Sequence, residues 1–194
     1  MKKSSILVPV GIILALALSR LVPHMPNFAP ITALALFGGV YLSKRYAYVI
    51  PLAAMVLSDY LLLYVNPFST QMFDFSHIQP LSGLWHGTLP AIYASFLISG
   101  LVGVWLKNHK SPINVVLSSA FCSFQFFLIS NAAVWLASDM YAHTLSGLAQ
   151  CYLMALPFLQ GTLFGDFFYT CTLFGAYELA VRFAKRKTLA VVTA

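Results

Sequence analysis

The chain has 194 residues, of which 60% are hydrophobic and only 8% charged, with a mean hydropathy of +0.82 and a formal net charge of +6. A soluble globule draws about a quarter of its residues from Asp, Glu, Lys and Arg, so this composition excludes an ordinary water-soluble domain and makes a lipid bilayer the expected solvent. The basic residues punctuate apolar runs and form no patch interleaved with aromatics, which argues against a nucleic-acid partner.

An apolar stretch of about 20 residues is the unit that crosses a bilayer. In chain order the expected spans are Ser5–Val22, Ala29–Leu42, Tyr46–Val65, Leu89–Leu106, Ile113–Leu136 and Gln160–Phe183, the second being short. The expected fold is therefore a single all-α domain, a polytopic bundle of six transmembrane helices. With six crossings, Lys2, Lys3, Lys44, Arg45, Lys107, Lys110, Arg182, Lys185, Arg186 and Lys187 all fall on one side, and only Arg20 on the other. The positive-inside rule makes the basic side cytoplasmic, with both termini there. Lys2, Lys3 and the Ala15-Leu16-Ala17 pattern also describe a signal peptide. The arginine and the turn that follow look like part of a working outer face, so the first span is expected to be retained.

Between the first two spans, Pro23, Pro26 and Pro30 rule out continuous helix and force a structured turn containing His24 and Asn27. Asn27 either touches a ligand in that unwound segment or caps the second span. The other outer segments are long. Asn66–Thr88 carries Asp74, His77, Trp85 and His86; Ala137–Leu159 carries Asp139, Tyr141, His143, Cys151 and a helix-interrupting Pro157. The inner connections are bare, so the outer face is the elaborated one.

Carboxylates inside a membrane must face a partner or water. Asp59 and Asp166 fall at similar depth in the outer halves of the third and sixth spans, and Arg20 ends the first span within reach of either. Two readings stand: the three charges converge on an outward-opening cavity, or they form a structural ion pair. Gln125 and Asn131 in the fifth span are the next candidates for a polar ligand, against a role in helix–helix hydrogen bonding. Glu178 and Arg182 read as an i,i+4 pair. Gly11, Ala15 and Ser19 form a small-residue row on the first span, for close packing within the bundle or against a partner subunit.

The three cysteines imply no disulfide framework. There is no P-loop, G-x-G-x-x-G, paired C-x-x-C or H-E-x-x-H, so no cofactor is assigned, no metal site is fixed, and any ATP-driven step would belong to another subunit.

The run R-x-x-P-H-x-P-N-F-x-P-I-x-A-x-A-L-F-G-G from Arg20 to Gly39 resembles the signature of an uncharacterised bacterial membrane family. It is accompanied by Val56-Leu57-Ser58-Asp59, by G-L-x-x-C-Y-x-x-A-x-P-F from Gly147 to Phe158, and by G-D-x-x-Y from Gly165 to Tyr169. The overall plan resembles the substrate-binding S components of energy-coupling-factor transporters. That resemblance implies a vitamin or metal-containing ligand held under outer loops, and docking of a T subunit, with its ATPase module, on the first helix. A solitary transporter of the cobalamin-transporting kind is also implied, with Cys151, His77 or His86 as an imaginable cobalt ligand. The expected function is uptake of a micronutrient, with Arg20, His24, Asn27, Asp59, His77, His86, Gln125, Asn131, Cys151 and Asp166 as ligand contacts. An intramembrane enzyme using the outer histidines on a lipid-linked substrate, and a structural subunit of a larger complex, are the alternatives.

Overall fold

In the computed structural model, residues 4–25, 27–43, 45–69, 75 and 78–192 are described. They form six α-helices: α1 (Ser4–Ser19), α2 (Ile31–Tyr41), α3 (Tyr46–Leu62), α4 (Leu89–Asn108), α5 (Pro112–Ala137) and α6 (Leu145–Val192). A short 3-10 turn, Leu81–Leu84, precedes α4, and there is no strand among the described residues. The all-α expectation holds. Helices α4 and α5 are each long and apolar enough to cross a membrane, whereas α1, α2 and α3 are shorter apolar helices.

The shortest helix is the centre of the bundle. α2 is apolar on every side, and a helix of that kind is stable only when surrounded. Every residue from Thr32 to Val40 is buried, and α2 touches each of the other five helices. Its closest neighbour is α4, and glycines set the approach. A Cβ on Gly39 would lie 2.6 Å from the Gly100 carbonyl oxygen and 2.7 Å from the Gly103 Cα, while one on Gly103 would meet the Leu36 carbonyl oxygen. Gly38 leaves the same kind of room for Pro51 of α3. Backbone therefore packs on backbone at this crossing, as small residues allow.

At the C-terminal end of α2, Phe37, Tyr41, Phe174 and Tyr177 make an aromatic cluster, with Phe37 edge-on to Tyr177 at 5.3 Å. The Tyr41 hydroxyl donates to Glu178 Oε1 at 2.6 Å, and the Lys110 ammonium pairs with the same carboxylate while sitting 5.1 Å over the Tyr41 ring. The expected Glu178–Arg182 pair is thus corrected. A lysine from the turn between α4 and α5 outcompetes the neighbour one helical turn away, and Arg182 acts only electrostatically. Lys107 donates to the Leu42 carbonyl at the same end.

Two further expectations change. Pro157 does not interrupt a helix; it lies inside α6, whose 48 residues extend about 72 Å at 1.5 Å each. The segment expected as an outer loop is therefore mostly helix, zipped onto α5 by the Tyr152 hydroxyl donating to the Leu128 carbonyl at 2.8 Å. That side-chain bond and the packing around it outweigh the one backbone donor a proline removes. On α1, Ile13 and Ala17 face the core, whereas Gly11 has nothing within 4 Å of where its Cβ would be. Of the small-residue row, Gly11 therefore makes no close contact within the bundle, and Ala15 is exposed.

Candidate functional site

The N-terminal end of α2 opens into a cavity of about 900 Å³. Two carboxylates organise its base, and each gathers three helices.

The first is Asp59, near the end of α3. Arg20, immediately after α1, donates from Nη1 to Asp59 Oδ1 at 2.7 Å and also bonds the Ser58 hydroxyl. The Tyr93 hydroxyl, one turn into α4, donates to the other carboxylate oxygen at 2.8 Å. Arg20 and Asp59 side chains remain 12% and 20% exposed, and that exposure is toward the cavity they line. The second carboxylate is Asp166 of α6, only 2% exposed. Ser123 of α5 donates to it at 2.6 Å, and Thr32, in the first turn of α2, presents its hydroxyl and its backbone N–H. The free N–H groups of a helix start favour a carboxylate there.

The sequence permits this geometry because Gly165 precedes Asp166. A Cβ at Gly165 would lie 3.1 Å from the Phe28 Cα, so a side chain there would push the proline turn away from α6. With glycine, Phe28 packs 5.6 Å from the Phe168 ring and 5.5 Å from that of Tyr169. Three stretches distant in sequence, around Arg20–Gly39, Ser58-Asp59 and Gly165–Tyr169, therefore meet at one end of the bundle.

The turn itself supplies the cavity's rim. Asn27 takes a left-handed backbone with φ of 60°, a conformation asparagine tolerates better than most residues. It is exposed, and the cap position of α2 is Pro30 with no side-chain bond, so Asn27 is not the cap. His24 places Nδ1 2.8 Å from the Val22 carbonyl oxygen, and its backbone N–H donates to Pro67, joining the turn to the segment after α3. His86, bonded through Nδ1 to Thr88 at 2.7 Å, lines the opposite side beside Trp85.

Of the ten candidate ligand contacts, Arg20, His24, Asn27, Asp59, His86 and Asp166 line the cavity. His77 lies outside the described residues. Gln125, Asn131 and Cys151 are corrected: none lines the cavity. Gln125 accepts from Ser95 Oγ at 3.0 Å and donates to the Ser95 carbonyl and to Ser99 Oγ, both at 3.1 Å, which clamps α5 to α4. The Asn131 amide bonds the Phe127 carbonyl one turn back, and the buried Cys151 thiol donates to the Asn131 carbonyl. Helix rotation decides these outcomes, and a span apolar on most sides does not announce its rotation in sequence. Tyr93 and Thr32 went unnoticed. Matching depth would have found Tyr93, since it enters α4 at the end where Asp59 leaves α3. Thr32 carried no such signal.

Gln125→Leu is expected to lower stability by about 1–2 kcal/mol, because it strips buried Ser95 and Ser99 of their partner; thermal unfolding checks this.

Among the described residues, no group of three His, Cys, Asp or Glu side chains is placed to hold a metal ion. His24 and His86 each bond a neighbour on their own segment, and neither pairs with a carboxylate. No curated protein and no solved structure matches the chain. Residues 1–190 match a family described as of unknown function, so the chain belongs to the DUF6580 family.

Proposed function

We propose that this chain is a substrate-binding membrane protein, a transporter subunit or small solitary transporter, that captures a vitamin-like micronutrient or metal-containing cofactor. The observation that carries this reading is the cavity. About 900 Å³ falls in the size range of small-molecule sites, roughly 300–1,000 Å³, and its walls are largely apolar with a few convergent polar groups at the base.

In this reading all six helices cross the bacterial inner membrane, both termini are cytoplasmic, and the cavity opens outward. The charge distribution supports that orientation. Among the described residues Arg20 is the one Lys or Arg lining the cavity, whereas Lys107 and Lys110 sit at the opposite end of α2, against Leu42 and Glu178. If a T subunit and its ATPase module drive uptake, Gly11, Ala15 and Ser19 of α1 are the face that would receive it; the open space beside Gly11 is compatible with this.

The test is native mass spectrometry of protein purified into lipid nanodiscs from cells grown in rich medium, with uptake assays on a deletion strain. A discrete bound small molecule, whose uptake the deletion impairs, is expected. Only lipid adducts, together with unimpaired uptake of every vitamin tested, would count decisively against a carrier.

A further inference from the structure

We infer that the occupant of this cavity carries an anionic, planar oxygen head, a carboxylate or its equivalent, on an apolar body. The inference rests on the cavity being a ligand site and deepens that reading.

The reasoning follows the donors already spoken for. Asp59 has one oxygen held by Arg20 and the other by Tyr93. Asp166 accepts from Ser123, faces Thr32 and is almost wholly buried. Both carboxylates are thus already engaged by neighbours within the bundle. Arg20 is different. All its bonds, to Ser58, to Asp59 and to the Met55 sulfur at 3.5 Å, leave from Nη1. Among the described residues Nε and Nη2 have no partner, and no fully buried side-chain nitrogen or oxygen is left unsatisfied, so these donors are not sealed off from the cavity Arg20 lines. Nε and Nη2 form the side-on fork of a guanidinium, the edge that matches two oxygens of a carboxylate. Asp59 fixes the guanidinium plane from its other side, so little ordering remains to be done when a ligand arrives. Elsewhere the cavity lining includes apolar and aromatic side chains, Phe126, Ile92 and Trp85 among them. Low polarity strengthens a charge-assisted bond and rewards an apolar body.

The test uses full-length protein in nanodiscs and matched ligand sets: indole-3-propionate and 6-phenylhexanoate, each beside its primary amide and its primary amine. Wild type should bind the carboxylates about tenfold or more tighter than the amides, and the amines weakest. Arg20→Lys, which keeps the charge opposite Asp59 and loses the fork, should erase the carboxylate preference while amide affinity stays. Amides or amines binding as tightly as carboxylates would overturn the anionic head and leave the cavity reading standing. So would a carboxylate preference unchanged in Arg20→Lys. If none of the six binds, the inference is overturned as well, and an empty cavity by native mass spectrometry would take the carrier reading with it. Oleate supplied in the nanodisc bilayer is the lipid arm. Carboxylate preference confined to oleate would retain the head chemistry and overturn its capture from water.

Discussion

Gly39→Val is expected to yield no stably folded protein. Even a single added carbon at this position meets the Gly100 carbonyl oxygen at 2.6 Å and the Gly103 backbone at 2.7 Å. Neither atom can swing aside as a side-chain tip would. Relief requires moving α4 away from α2, and α2 is the element every other helix touches. Overpacking a core costs about 1–3 kcal/mol where side chains can adjust, so Gly39→Ala should already lower stability by that amount, and the branched valine by more. Gly11→Ala is the control. With nothing within 4 Å of its Cβ, it should leave stability unchanged or slightly raised. Monodisperse yield and thermal unfolding in detergent distinguish the three. A Gly39→Val protein that folds as well as Gly11→Ala would mean that α2 and α4 do not cross on their glycines.

The second large effect concerns the ion pair at the base of the cavity. Arg20→Met and Asp59→Leu should each destabilise by about 3 kcal/mol, since each leaves a largely desolvated charge without its partner. The lower end of the range applies because the two side chains keep 12% and 20% of their exposure. The double variant Arg20→Met/Asp59→Leu should recover at least half of either loss, as replacing both partners of a buried pair with apolar groups is often near neutral. The carboxylate preference should be lost in both variants that replace Arg20. Recovery of stability without recovery of that preference is the decisive pattern, because it separates riveting α1 to α3 from presenting a donor to a ligand. A full carboxylate preference in the double variant would show that the pair serves packing alone.

These two predictions mark how unevenly the sequence disclosed the molecule. Helix positions were legible because apolar runs bounded by Lys, Arg and Pro have few other solutions; α3 and α4 start at the residues expected, Tyr46 and Leu89. That Arg20 would lie within reach of Asp59 or Asp166 was legible from depth; which of the two it meets was not. The length of α6 was not, since Pro157 is a reliable breaker only where packing does not hold the flanking turns, as Tyr152 and Cys151 do against α5. Gln125 looked like a ligand contact on composition, but its rotation toward α4 gives every one of its bonds to Ser95 and Ser99.

By itself, then, the amino-acid order determined that this is an all-helical chain, where its first five helices begin, and which few ionisable groups must find partners, because those follow from local propensity and from the cost of leaving a charge in an apolar setting. Only the tertiary structure decided which partner each group found, that the shortest helix would be the hub, and that Arg20 would spend one nitrogen on Asp59 and keep two. Those outcomes depend on helix rotation and on backbone contacts between glycines such as Gly39 and Gly103, quantities that arise from packing between distant segments and leave no periodic trace along the chain.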